Sequence, residues 1–446
     1  DEKASFDPTV FSQASLSQSD LDWEDGVGNT RQTTSDTRSY SLGVTKRVAS
    51  GGQITASTIQ TRNDGSSFNP DLGQLVGGEL SQRASLSLEF TQPLLRDFGT
   101  DVTLAPVRTA ESRLRVANLE TRSAVYDLLQ QIENAYWRLS DARLRFDLSQ
   151  SNLTLSEKLL EESRERERLG LATKIDVLEA EANLAQRKEQ IIRAKQRILD
   201  RTDDLLAVMG GLDDSLGLSP EIFVALVPES IKPIQSFEVV LQNALDNHFA
   251  ADIQEELLVQ LEQNRILAKN AGRPEVDLTL SSSYNGLSPT SGSDAYSEAF
   301  DRRGDDWGLR FSFNLPWGQR KAKSNLRQTV YRIEQGELRL AEIKQDLLRS
   351  VRFAWRELDA SREQLSAAEL VVALREATYE QERSKFEEGL STFRLLLETQ
   401  RDLDEAKLRL LDAQLSGIQA EIDLSRVQGL ILRRHGVDWN IPQLGE

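Results

Sequence analysis

The 446-residue chain has no cysteine, one methionine and two histidines. Without cysteine there is no disulfide framework, no thiol nucleophile and no thiolate metal site. His248 and His435 lie far apart in sequence and lack ligand spacing, so neither a metal nor another cofactor is expected. No run of about 18 apolar residues occurs, so no helix is expected to cross a bilayer. Positive charge is also in deficit. Lys and Arg number 54 against 71 Asp and Glu, a net charge of −17. Nucleic-acid binding rests on phosphate neutralisation, so a nucleic-acid partner is excluded. The chain opens at Asp1 without methionine or a signal-like apolar stretch, so it is expected to be processed or trimmed. Length alone allows two or three ordinary domains.

What is present is a repeat. Ala135-Tyr136-Trp137-Arg138-Leu139 returns as Ala354-Trp355-Arg356-Glu357-Leu358, and Gly170-Leu171-Ala172-Thr173 returns as Gly389-Leu390-Ser391-Thr392. The offset is 354 − 135 = 219 in the first pair and 389 − 170 = 219 in the second, and Gly99 and Gly318 keep it. One offset held over so long a stretch marks a tandem duplication.

Each copy predicts a very long helix. From about Thr109 to Leu169 there is neither proline nor glycine. At about 1.5 Å per residue that stretch spans roughly 90 Å. Val125, Leu128, Ile132, Ala135, Leu139, Ala142 and Phe146 step by three and four, and Val351, Ala354, Leu358, Ser361 and Leu365 repeat the register. A mean step of 3.5 predicts a coiled-coil seam. After Gly170 the heptad positions Val177, Leu184, Ile191, Ile198 and Leu205 predict a returning helix. Leu396, Leu403, Leu410 and Leu424 do the same after Gly389, with Gly417 interrupting the series. Each copy therefore reads as an antiparallel helical hairpin with its tip at the glycine.

Before each long helix the period changes to two. Ala84, Leu86, Leu88 and Phe90 alternate with polar residues, as do Val276, Leu278 and Leu280, and Leu309, Phe311, Phe313 and Leu315. Such alternation predicts strands with one apolar face. Aromatics cluster near the strand ends: Phe90, Tyr284, Trp307, Phe311, Phe313 and Trp317 are candidates for a membrane girdle. The stretches Asn63–Ser67 and Ser288–Ser293 are expected to be solvated external loops. Residues 40–56 read as a further hairpin turning at Ser50-Gly51-Gly52. That hairpin either adds two strands per chain or forms an external flap. Few strands per chain cannot close a barrel, so strands in lipid would require several chains to share one.

In order, Gln92-Pro93-Leu94-Leu95, Ala135-Tyr136-Trp137, the tip Gly170-Leu171-Ala172-Thr173 with Asp176-Val177-Leu178, and Gly389 with Thr392 resemble the outer membrane factor (TolC-like) family of exit ducts. The resemblance runs from about Phe6 to Arg434. It implies an α+β membrane protein, a homotrimer with a shared transmembrane β-barrel and a periplasmic α-helical tunnel. It also implies a location in the outer membrane of a Gram-negative bacterium, in contact with outer-membrane lipid. The implied function is a passive, non-enzymatic exit duct for efflux or type I secretion. Its partners would be a periplasmic adaptor (membrane fusion) protein and an inner-membrane pump or exporter. The family's usual helix before the first strand has no counterpart near Phe6, and the lipid-bearing cysteine of some relatives is lacking. With the hairpin the trimer would hold 18 barrel strands, without it 12.

The expected segments are 1–99, first-copy strands and external loops; 100–210, the first helical hairpin; 211–273, an equatorial connector with a helix; 274–318, second-copy strands; 319–434, the second hairpin; and 435–446, a tail. The resemblance places a tip constriction at Glu398, with Leu395 as an apolar collar and Arg394 paired to Asp176. It places adaptor docking at Gly170, Leu171, Ala172, Gly389, Leu390 and Ser391. The alternative is a structural or adhesive coiled-coil envelope protein without a channel, which would have no need of matched strands in both copies. The carboxylate pairs Asp213-Asp214, Glu255-Glu256 and Asp305-Asp306 lack a neighbouring nucleophile, histidine or phosphate loop, which argues against an enzyme.

Overall fold

A computed structural model describes residues 2–24, 30–69, 74–77, 80–211, 222, 224, 235–302 and 304–436. The chain forms two compact units, Asp1–Ala117 with Gln254–Arg339, and Asn118–Ile253 with Leu340–Glu446.

The first unit is built on a sheet. Its strands are β1 (Thr9–Glu24), β2 (Thr30–Arg47), β3 (Gln53–Asn69), β4 (Gln74–Gly77), β5 (Ser81–Pro93), β6 (Glu275–Ser288) and β7 (Asp305–Asn314). The order is β1-β2-β3-β5-β6-β7, with the short β4 on β3, and every pairing is antiparallel. The sheet is open, with β1 and β7 at its edges. One row of partners runs straight across it: Thr9, Thr45, Thr55, Glu89, Ser281 and Gly308.

Directly opposite residues share a face, so the register sorts the side chains. One face carries Val10, Leu42, Val44, Ala56, Leu86, Leu88, Phe90, Leu280, Leu309, Phe311 and Phe313. The other carries hydroxyls that bond across strands: Thr45 to Thr55 at 3.2 Å, Ser57 to Ser87 at 2.8 Å and Thr91 to Thr279 at 3.1 Å. The start of β1 and the end of β2 continue the apolar face with Val10, Leu42 and Val44. Gly43 of β2 leaves room for the Phe11 ring, which occupies the place a Cβ would take.

The helices are α1 (Thr100–Thr103), α2 (Ala105–Arg168), α3 (Lys174–Met209), α4 (Phe237–Asp246), α5 (Phe249–Asn270), α6 (Gly292–Phe300), α7 (Arg320–Glu387), α8 (Phe393–Val427) and α9 (Ile431–Arg434), with a 3-10 turn at Glu2–Phe6. Among the described residues, no helix is long and apolar enough to cross a membrane. The 219-residue offset reappears in the backbone. Gly99 and Gly318, Gly170 and Gly389, and Gly210 and Gly429 all have positive φ, where a side chain would be strained. By the same offset β3 and β5 correspond to β6 and β7, whereas residues 9–47 correspond to 228–266, the region of α4 and α5. The β1–β2 hairpin therefore stands outside the repeat.

Three expectations are corrected. Asn63–Ser67 is not a loop; it lies inside β3, paired to β2 from Thr33 to Thr37. The stretch after Ser288 is not wholly loop, because α6 starts at Gly292, where the Ser291 hydroxyl accepts the Asp294 N–H. The connector holds two helices rather than one, since Asn247 and His248 separate α4 from α5. Asp213, Asp214 and residues 437–446 of the tail lie outside the described residues.

In the second unit, equivalent positions of the two copies are core. Ala135 and Leu139 pack with Leu205, and Ala354 and Leu358 pack with Val351, Ala420 and Leu424. A third cluster joins Tyr126, Ile418, Ile422 and Ile431, with Tyr126 edge-on to Phe249 at 4.9 Å. His248 starts α5, its Nδ1 accepting the Ala251 N–H at 3.1 Å. Burial, and next the charge of Arg426, hold its imidazole below its ordinary pKa. A base depressed in the folded state binds fewer protons there than when unfolded, so its contribution is lost as pH falls through the unfolded value. His248→Asn keeps a capping acceptor and removes the titration. The variant should therefore lose less thermal stability than the parent between about pH 7.5 and 5.5, by at most about 1.4 kcal/mol per pH unit. Equal losses in parallel melts would count against this role.

Candidate functional site at the hairpin tips

Both tips are made by the same local chemistry. In the first, the Gly170 N–H bonds the Glu167 carbonyl at 2.9 Å and the Leu171 N–H bonds the Arg166 carbonyl at 2.8 Å, closing α2. In the second, Gly389 bonds Phe386 at 3.1 Å and Leu390 bonds Lys385 at 2.8 Å, closing α7. This is the Schellman pattern, which needs a left-handed residue and takes glycine. Thr173 and Thr392 then cap α3 and α8.

The copies differ three residues later. Asp176 returns the bond, accepting from the Thr173 N–H at 2.8 Å, so the first tip has a reciprocal capping box. Its equivalent in the second copy is Leu395, which cannot reciprocate. There Ser391 instead donates from its hydroxyl to Glu382. Arg166 ties the tips together, donating to the Phe386 carbonyl at 3.2 Å and lying 4.3 Å from the centre of its ring.

Beneath the tips lies one core: Leu159, Leu160, Val177, Ala180, Tyr379, Phe386, Phe393, Leu396 and Leu403. A buried ion pair adjoins it, Arg187 Nη2 to Asp404 Oδ2 at 2.5 Å. Burial pushes the Asp404 carboxyl up, against the opposing pull of Arg187. Heptad reading placed Leu403 in the seam but gave no sign of this pair.

The expected tip residues are placed as follows. Leu171 and Leu390 are largely exposed, at 73% and 74%. Gly170, Gly389, Leu395 and Glu398 are also exposed, while Ala172 and Ser391 are half-buried. Glu398, among the described residues, makes no hydrogen bond or ion pair. The Arg394–Asp176 pair does not form within the chain. Arg394 instead bonds Glu179 at 2.9 Å, one helical turn along α3, while Asp176 serves the capping box.

In the sheet, Phe90, Tyr284, Trp307, Phe311 and Phe313 share the apolar face. Phe90 and Tyr284 are half-buried, and Arg302 lies over the Tyr284 ring at 5.2 Å. Trp307 is 83% exposed. Trp317 is exposed but follows β7 rather than belonging to it.

The sequence matches the model of the "Outer membrane efflux protein" family over residues 53–211 and 240–430, more than three-quarters of the chain. The chain belongs to the outer membrane efflux protein family. This is a family of outer-membrane channels rather than enzymes, and TolC-like as the sequence suggests. Among solved structures, the outer-membrane channel OprN aligns with a TM-score of 0.67 at 16% identity, over 96% of this chain and 82% of that one. The outer membrane protein VceC of Vibrio cholerae aligns with a TM-score of 0.66 at 17% identity, covering 96% and 88%. The CmeC outer membrane channel of Campylobacter jejuni aligns with 0.64 at 14% identity, covering 96% and 79%. At these identities the likeness is one of fold. No curated protein matches the sequence. The outer membrane efflux protein match begins at Gln53, the first residue of β3, so β1 and β2 precede it.

Proposed function

We propose that the chain is a passive outer-membrane exit duct of a tripartite efflux or type I secretion system. Three copies share one β-barrel in the outer membrane of a Gram-negative bacterium, and the helical hairpins form a coiled-coil tunnel in the periplasm. One observation carries this reading. A sheet with an apolar band across one face, a hydroxyl-lined opposite face and two open edges suits lipid on one side and water on the other, and needs partner strands to close. The half-buried and exposed aromatics of the apolar face then serve as its interfacial girdle. An adhesive rod would leave that face without a role.

At the tips, Gly170, Leu171, Ala172, Gly389, Leu390 and Ser391 meet the adaptor, which in turn recruits the inner-membrane pump. The exposed Leu171 and Leu390 supply the apolar contact, and the tight glycine turns allow close backbone approach. Glu398 forms the constriction, three copies about the axis, with Leu395 as its collar. The Arg394–Glu179 bridge, rather than one to Asp176, joins the two hairpins beside it. A ring of like carboxylates attracts cations.

The test is planar-bilayer recording on detergent-extracted protein. A trimer with discrete, cation-selective conductance is expected, and Glu398→Gln should weaken block by multivalent cations about tenfold, equivalent to about 1.4 kcal/mol. A monomeric, water-soluble product would sink the duct. A conducting trimer whose selectivity and block ignore the substitution would remove Glu398 from the constriction.

A further inference from the structure

We propose that β1 is a barrel strand whose free edge pairs with β7 of a second copy of this chain, so that the shared barrel has six long strands per copy. The inference rests on the reading of a barrel shared by several copies. It decides between a barrel built with the β1–β2 hairpin and one built without it.

Within the chain β3 has no edge to offer, because β2 covers it along fifteen consecutive partner positions from Gln53 to Ser67. The long strands left with an open edge are β1 and β7. Five consecutive antiparallel pairings make β1 and β7 run in opposite directions, so joining β7 to the next copy's β1 keeps the alternation. The apolar face also passes through the hairpin. A shallow groove of about 580 Å³ crosses it, lined by Val10, Leu42, Val44, Leu86, Leu88 and Tyr284 among others. A flap folded away from the membrane would have no need for the hairpin to continue this face.

Matching the strand ends assigns the partner residues. The row that starts at Thr9 reaches β7 at Gly308, and β7 continues to Asn314. Levelling the start of the neighbour's β1 with the end of β7 gives a stagger of 314 − 308 = 6 residues over six strands. One residue per strand is the ratio of an eight-stranded barrel of shear 8, whose strands tilt about 36°, within the range of membrane barrels. The four strands β3, β5, β6 and β7 give the same ratio, since Gln53 is level with Arg310 and 314 − 310 = 4. The hairpin thus leaves the tilt unchanged and enlarges the ring, whose diameter grows with strand number.

This alignment sets Val10 opposite Phe313, Ala14 opposite Leu309 and Leu16 opposite Trp307, apolar against apolar. Leu16 and Trp307 are 77% and 83% exposed in the single chain. On the hydroxyl face Gln13 meets Arg310. A slip by one residue would put each apolar side chain on the wrong face.

The chain lacks cysteine, which makes the test direct. The double variant Gln13→Cys with Arg310→Cys should give intermolecular disulfides in the assembled protein, seen as ladders on non-reducing denaturing gels. The control Thr55→Cys with Ser312→Cys, which reports β3 meeting a neighbour's β7, should give none. Links in the control pair alone overturn the inference. So does an intact oligomer in which Arg310→Cys links to none of Phe11→Cys, Gln13→Cys and Ser15→Cys. Protein that is monomeric on native mass spectrometry in detergent would remove the shared barrel itself, a separate and recognisable failure.

Discussion

Asp404→Ala should destabilise the tip region by about 3–5 kcal/mol, because it leaves the Arg187 guanidinium buried with no opposite charge. Both side chains of the pair are only 10% exposed, and Leu396 and Leu403 beside them are core. Removing one partner of a buried pair forfeits the attraction but keeps the desolvation cost of the survivor. Replacing both is a different matter: Arg187→Met with Asp404→Leu should recover most of the loss or exceed the parent, since the site then joins the apolar core. Thermal unfolding followed by far-ultraviolet circular dichroism would compare the three proteins. A single variant within about 1 kcal/mol of the parent, or a double variant no better than the single, would show that the pair is water-accessible in the assembled protein.

Gly286→Val should dislodge α6 from the sheet, at a cost near the upper end of the roughly 1–3 kcal/mol typical of overpacking. A Cβ at Gly286 would stand 1.9 Å from the Ala295 carbonyl oxygen and 2.7 Å from the Ala299 nitrogen. Those are backbone atoms of α6 and cannot rotate aside. Releasing the helix would uncover Ala84, Ala295 and Ala299, all essentially inaccessible now, and break the 3.0 Å hydrogen bond between Thr58 and Tyr296. Limited proteolysis of folded protein should show new cleavage between β6 and β7 in the variant. Unchanged resistance there would mean that the seat of α6 is softer than its packing indicates.

How much was legible in the sequence followed from the kind of signal. The duplication was plain because one offset governs Gly99, Gly170 and their partners, and the backbone there needs positive φ in both copies. Strands could be read where Leu, Phe and Val alternate with polar residues, as in β5, β6 and β7. β1 was missed because its alternation fades into Ser17-Gln18-Ser19-Asp20, polar on both faces. Asn63-Asp64-Gly65 has turn chemistry, yet the partner strand β2 holds it extended, a case of tertiary pairing overriding local preference. α6 left a trace in Ser291 and Asp294, a cap residue with an acid three positions on, hidden in loop-like composition. At the tip, the glycines could be read directly, but the partner of Arg394 could not. Asp176 and Glu179 lie one turn apart on α3, and spacing alone does not say which of the two carboxylates Arg394 reaches.

The unequal caps of the two tips bear on how often each helix start comes undone. A satisfied cap is worth about 1 kcal/mol, and a difference of that size is roughly a fivefold change in a local opening equilibrium. The first turn of α3 is latched from both sides by Thr173 and Asp176. The first turn of α8 has the Thr392 cap without a reciprocating acid, and is held besides by the Arg394–Glu179 bridge and by the buried Phe393 and Leu396. Two copies of one hairpin thereby hold the same helix start by different means, a local latch in one and contacts across to its twin in the other.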